Sequence, residues 1–198
     1  MKVLVACEFS GIVRDAFLER GHDAWSCDLL ETESDNDKQH IVGDALEVSK
    51  LLETSGLPDW DLVIAHPPCT YLCNSGVRWL HEQPGRWEKM VEAAKFMKAL
   101  MEYGDKSAVE NPIPHKYAVR EIGRKYDQII HPWQFGHGES KSTCLWLRGL
   151  PKLKPTSVVE GREQRVWKLP PSKDRWKERS RTFTGIAAAM ADQWGSLA

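Results

Sequence analysis

The chain reads as an α/β protein, a mostly parallel sheet with helices on both faces, and three observations predict this. Short apolar runs of strand length alternate with longer stretches of helical periodicity. Two of the runs are separated by one amphipathic helix, the signature of a right-handed βαβ unit. Several runs end in a carboxylate or a thiol, at the strand exits where open α/β sheets place their ligands. At 198 residues the chain is long enough for one such domain.

Lys2-Val3-Leu4-Val5-Ala6 is the first strand. The tight turn Cys7-Glu8-Phe9-Ser10-Gly11 follows, with Ser10 predicted to cap a helix whose apolar face carries Ile12, Val13, Ala16 and Phe17 and which ends at Gly21. Ala24-Trp25-Ser26-Cys27 is the second strand and ends in Asp28. An acid at that tip, roughly 20 residues past a glycine turn, is how nucleotide-binding βαβ folds hold a ribose diol. The turn has one glycine and is not GxGxxG, so it gives little support to a pyrophosphate cradle. Val42-Gly43-Asp44 gives a third strand end, its carboxylate suited to an adenine amino group or another polar cofactor edge; a helix cap or solvated turn fits Asp44 as well.

Leu62-Val63-Ile64-Ala65 is a buried strand that runs into His66-Pro67-Pro68-Cys69. A Pro-Pro pair cannot continue a sheet ladder and fixes its own φ angles, so Cys69 leaves the strand on a stiff path. Such a thiol is a candidate nucleophile, and taken alone it fits a buried loop cysteine equally well. Gly85 to Tyr103 is an amphipathic helix with Trp87, Met90, Val91, Ala94, Met97 and Met101 on one face. Ser107-Ala108-Val109 is the next strand, and Glu110-Asn111-Pro112 follows at its exit. The crossover brings Cys69 and Glu110 to one sheet edge, a thiol beside a proton donor.

In order and spacing these motifs resemble the cytosine-C5 DNA methyltransferases. The resemblance is carried by Phe9-Ser10-Gly11, Asp28, Asp44, Pro67-Pro68-Cys69, Glu110-Asn111-Pro112, Phe135-Gly136 and the stretch from Arg181 to Ala187. It implies a Rossmann-like class I S-adenosylmethionine-dependent methyltransferase fold with a mostly parallel seven-stranded sheet, its antiparallel element near Cys144-Leu145-Trp146-Leu147. It further implies S-adenosylmethionine as cofactor, held by Phe9, Ser10, Gly11, Asp28, Asp44, Pro67 and Gly185. Cys69 is then the thiolate that adds to C6 of cytosine, making C5 a carbon nucleophile. Glu110 relieves the charge entering the ring at N3, with its pKa raised by a closed pocket. Pro68, Asn111 and Pro112 contact the substrate. Where the family places two arginines after Phe-Gly, this chain has Lys141 and Thr143, which form no bidentate fork. Lys141 is assigned a catalytic role and Thr143 a substrate contact.

Residues 148–180 stand where the family carries a target-recognition domain, so a single catalytic domain over 1–198 with a basic loop insert is expected. Prolines 151, 155, 170 and 171 interrupt the insert, and it shows no sustained periodicity. Arg148 to Arg181 holds eleven basic side chains against four acids, while the whole chain has net charge −1. Trp167 and Trp176 interrupt the basic run, a mixture that binds phosphates and stacks on unpaired bases. Arg165, Trp167 and Arg175 are therefore candidate DNA contacts, with the target cytosine flipped out or single-stranded.

Five cysteines do not suggest a disulfide framework, and a nucleophilic thiol suits a reducing, cytoplasmic compartment. No apolar run approaches ~18 residues, and Met1-Lys2-Val3 runs directly into a strand, so neither a membrane span nor a signal peptide is expected. His66, Cys69 and Cys73 lack the paired spacing of a structural zinc site, so no metal is assigned. Of the nine tryptophans, Trp79 and Trp87 flank the loop after Cys69 and either pack in the core or cover substrate. Two alternatives stay open: the same chemistry on a free cytosine nucleotide, and a non-catalytic relative that binds nucleic acid.

Overall fold

The computed structural model describes residues 1–48 and 59–197. Seven strands, β1 (Lys2–Ala6), β2 (Asp23–Asp28), β3 (His40–Val42), β4 (Leu62–Ala65), β5 (Ser107–Pro112), β6 (Gln128–Ile130) and β7 (Thr143–Arg148), form one sheet in the order β3-β2-β1-β4-β5-β7-β6. Pairings from β3 across to β5 are parallel. β7 runs antiparallel to both β5 and β6, as the run around Cys144 to Leu147 predicts.

Alternate side chains on each strand meet opposite layers of helix. The short α2 (Trp79–Glu82) precedes α3 (Arg86–Glu102) and α4 (Lys116–Ile122). Leu4, Ala6, Val63 and Ala65 face α3 and α4, packing with Met90, Ala94, Met97 and Ile122. Val3, Val5, Leu62 and Ile64 face α1 (Ile12–Leu18) and the C-terminal helix (Thr184–Gly195), against Val13, Phe17, Met190 and Trp194. Strands buried on both sides need uninterrupted apolar sequence, which is why these runs do not alternate. The winding reverses between β1 and β4. Their carboxyl ends therefore open a crevice at the topological switch point, where such sheets bind ligands.

Three local features differ from the sequence expectations. Ser10 does not cap α1: Gly11 occupies the N-cap position at φ 72, and the Glu8 carboxylate accepts the N–H groups of Val13 at 2.7 Å and Arg14 at 3.2 Å. A carboxylate answers the positive end of a helix better than a hydroxyl does. Strand β5 continues through Glu110 to Pro112 instead of ending at Val109. Its β4 edge is open beyond Val109, and residues 110–112 pair only with β7, so a terminal proline is tolerated. The insert holds two short helices, Arg165–Lys168 and Arg175–Ser180, too brief to show periodicity. Among the described residues no helix is long and apolar enough to cross a membrane.

Candidate active site

The loop leaving β4 is pinned at several points. The His66 N–H donates to the Ala6 carbonyl at 2.9 Å, and Asn111 Nδ2 donates to the Pro67 carbonyl at 2.9 Å. The Cys69 carbonyl then accepts from the N–H groups of Leu72 and Cys73, both at 3.0 Å, closing one tight turn behind the thiol. Arg86 Nη2 holds the Thr70 carbonyl at 3.0 Å and its guanidinium lies over Tyr71, tying this turn to the start of α3.

Cys69 and Glu110 line one narrow pocket of about 100 Å³, together with His66, Pro67, Asn111, Pro112 and Lys141. Cys7 and Pro68 separate it from a cavity of about 520 Å³ carrying Asp28 and Asp44, with Leu29, Tyr71 and Phe96 as apolar walls. On its other side Cys69, Pro112 and Lys141 also face a wide cavity of about 870 Å³, closed by Trp167, Arg175, Trp176 and Arg179 of the insert. The larger two are of the size that small-molecule sites have, ~300–1,000 Å³.

Glu110 is paired with His66. His66 Nδ1 is 2.9 Å from Glu110 Oε2, and the two side chains are 7% and 13% exposed. Burial alone raises the Glu110 carboxyl, but the His66 hydrogen bond, the Lys141 charge and a hydrogen bond from Thr143 outweigh it and hold it below its ordinary value. The expectation of a raised Glu110 is therefore corrected. His66 moves the other way: burial lowers it, and the hydrogen bond and charge of Glu110, with the charge of Glu8, overcome this.

Cys69 is also shifted upward, by its hydrogen bond to Cys73, by burial and by the Glu110 charge. Cys73 is lowered to about 5 by that same bond, by the Ser75 hydroxyl and by the N–H groups of Gly76 and Ser75.

The other sequence-assigned residues divide among the three cavities. Asp28 and Asp44 share the acid-lined cavity. Each also accepts a backbone N–H, Asp28 from Leu30 at 3.0 Å and Asp44 from Leu46 at 2.8 Å. Phe9, Ser10 and Pro67 line the narrow pocket instead, and Pro68 lines both. The Phe9 ring packs on Trp176 at 5.7 Å, which seats the insert on the first loop. Trp167 and Arg175 wall the wide cavity. Four residues, Gly11, Gly185, Arg165 and Thr143, line none of these cavities. Gly11 is turned toward Arg14, whose guanidinium a Cβ there would meet at 2.6 Å. Gly185 sits against Phe135, where a Cβ would fall 1.8 Å from the carbonyl oxygen, so a packing constraint accounts for this glycine. Arg165 points to acids, its Nε 3.1 Å from Glu163 and 3.6 Å from the buried Glu139. Thr143 is buried behind Glu110.

Trp87 packs edge-on against Tyr117 and His81, and Trp79 lies under Arg78, so neither lines these cavities. Sequence reasoning missed the roles of His66, Glu8 and Cys73. The only signal for His66 was its place between the strand and the prolines. Among the described residues no group of three or more His, Cys, Asp or Glu is placed to hold a metal ion.

No protein-family model matches this chain, and no curated protein does. Among solved structures, the Entamoeba histolytica methyltransferase EhMeth superposes with a TM-score of 0.50 at 17% identity, over 87% of this chain and 60% of that one. The fold is that of the class I methyltransferases. A DNA modification methyltransferase described from an E. coli prophage aligns at TM-score 0.49 and 11% identity, over 86% of this chain and 55% of its own. The S. pombe Dnmt2 methyltransferase aligns at 0.46 and 15%, over 85% and 54%. The chain thus spans between half and two thirds of each of these methyltransferase-fold structures.

Proposed function

We propose that this protein transfers a methyl group from S-adenosylmethionine to C5 of cytosine in DNA through a covalent Cys69 adduct. The observation that carries this reading is the row of three cavities: thiol and carboxylate in the narrow middle one, acids on one side, aromatic and cationic walls on the other. The acid-lined cavity suits an adenosine. Asp28 and Asp44 offer acceptors to ribose hydroxyls and an amino group, and Leu29, Tyr71 and Phe96 offer apolar surface to a ring. S-adenosylmethionine supplies an electrophilic methyl group when bound.

The chain's own residues and solvent water supply the rest. Cys69 loses its S–H proton to solvent water as its sulfur bonds to C6. The C5–C6 π electrons move toward C4, the C4–N3 π pair moves onto N3, and the N3 lone pair takes a proton through Glu110. C5 is then the nucleophile toward the methyl group; a solvent water afterwards takes the C5 proton, and the C5–H pair re-forms the C5–C6 double bond as the Cys69 sulfur leaves as thiolate. Lys141 beside Cys69 and Glu110 balances negative charge gathering there.

The deciding experiment incubates the protein with tritiated S-adenosylmethionine and either cytosine-containing DNA or dCMP, beside Cys69→Ala. Label in DNA that is lost in the variant is the expected result. Label in dCMP alone redirects the reading to a free nucleotide. Nucleic-acid binding without label in either overturns catalysis.

A further inference from the structure

Resting on that reading, one buried group still has no part in the chemistry. His66 lies on the floor of the narrow pocket with its side chain 7% exposed. Its Nε2 is buried without a hydrogen-bond partner, so Glu110 is the partner that the ring has among the described residues. Charged groups face it from three elements: Glu110 on β5, Glu8 in the turn after β1, and Lys141 in the segment before β7. Two carboxylates against one ammonium favour a protonated imidazole.

The arrangement also leaves a gap in the proton path. Glu110 accepts from His66 and from Thr143 and has Lys141 nearby, an environment built for a carboxylate rather than a carboxylic acid. Addition of a thiolate to C6 nevertheless requires a proton at N3. The nearest group suited to hold one at neutral pH is the imidazolium 2.9 Å away.

We propose that His66 is a positioning residue that holds the proton Glu110 delivers to the substrate ring. As the Cys69 sulfur bonds to C6, the Nδ1–H bond of His66 breaks and its proton passes to Glu110 Oε2. The proton on Glu110 goes to N3, whose lone pair forms the new N–H bond. Imidazolium and carboxylate become imidazole and carboxylate, and the positive charge that is lost neutralises the electron pair entering the ring. When the sulfur leaves, the proton returns by the same route. Glu8 is the second carboxylate near the ring; the N–H groups of Val13 and Arg14 at the start of α1 hold it in place, while burial pushes its carboxyl upward.

Two measurements test this. The first follows the His66 ring proton by NMR through a pH titration of the wild type and Glu110→Gln, and needs no turnover. His66 is expected to titrate above an ordinary histidine in the wild type and to fall by about one unit or more in the variant. An ordinary value, or one unmoved by the variant, overturns the proposal. The second follows tritium release from DNA labelled at cytosine C5, across about pH 5 to 9. The active form carries a protonated His66, so the wild-type rate should fall as pH rises through its raised pKa. His66→Asn keeps an N–H donor toward Glu110 but has no proton to give. It should lose about tenfold or more at neutral pH, without that alkaline fall. An Asn variant that keeps the wild-type profile overturns the proposal. If the wild type releases no tritium, the cytosine reading fails, and the NMR titration still decides the role of His66.

Discussion

The acid-lined cavity and the insert-walled cavity flank the same thiol, yet they are built in different ways. The first is made by strand exits and one helix: Asp28 ends β2, Gly43 and Asp44 follow β3, Pro68 follows β4, and Ala93 and Phe96 belong to α3. Most of its walls are therefore positioned by the buried sheet and by the helix packed on it. The second is closed by a surface segment whose most prominent side chain, Trp167, is 68% exposed. That segment is held by polar contacts: Arg181 to Glu33 at 2.7 Å, Lys177 to Glu33 at 3.8 Å and Lys141 Nζ to the Arg179 carbonyl at 2.9 Å. One half of the site is thus fixed by the core, the other by surface ion pairs and hydrogen bonds together with the Phe9–Trp176 contact. The insert-walled half can change without disturbing the fold, and it is also the half that salt will loosen.

The largest separation of the two halves is expected from Asp28→Ala. Hydrogen bonds to a charged group contribute about 1.5–3 kcal/mol, so the variant should bind S-adenosylmethionine roughly 10- to 100-fold more weakly. DNA affinity should stay unchanged. Parallel titrations of cofactor and DNA check this, and equal losses in both would collapse the distinction. Trp167→Ala reverses the pattern. Base stacking contributes ~1–3 kcal/mol and an exposed ring lies at the low end, so DNA should bind about fivefold more weakly with cofactor affinity intact. A fluorescence anisotropy series on single-stranded oligonucleotides measures it.

The same contrast explains what the sequence made legible. Residues 3–6 and Leu62–Ala65 declare themselves because strands buried on both faces tolerate nothing but apolar residues. Cys69 and Glu110 stand out because prolines stop the chain beside them. The His66–Glu110 pair joins residues 44 positions apart through two parallel strands, and no spacing rule marks it. Arg165 looks like a phosphate ligand in a basic run, until folding brings Glu139 up beside it. Gly185 fits a cofactor motif and a close helix contact equally well in sequence, and only the Phe135 carbonyl distinguishes the two. Ser10 looks like a cap because its competitor Glu8 lies before the turn and folds back over it. Features set by local pattern are readable; those set by which side chains meet across the sheet are not.

Glu33 gives the smallest effect and the finest test of the contrast. Its carboxylate receives Arg181 and Lys177 in half-buried pairs, and such exposed bridges contribute ~0–1 kcal/mol. Glu33→Gln should therefore leave thermal stability nearly unchanged. It removes the charge that draws the Arg175–Ser180 helix and the chain after it onto the β2–β3 connection, beside the Phe9–Trp176 contact. The wide cavity then keeps its residues but loses part of its preorganisation. The KM for DNA should rise about two- to threefold at low salt, within what ~1 kcal/mol allows. Cofactor affinity should not move. At an ionic strength of about 1 M the Debye length is ~3 Å, so the wild type loses the same attraction and the two proteins should converge. A difference that persists undiminished at high salt would mean that packing of Trp176 on Phe9, rather than charge, holds the insert in place.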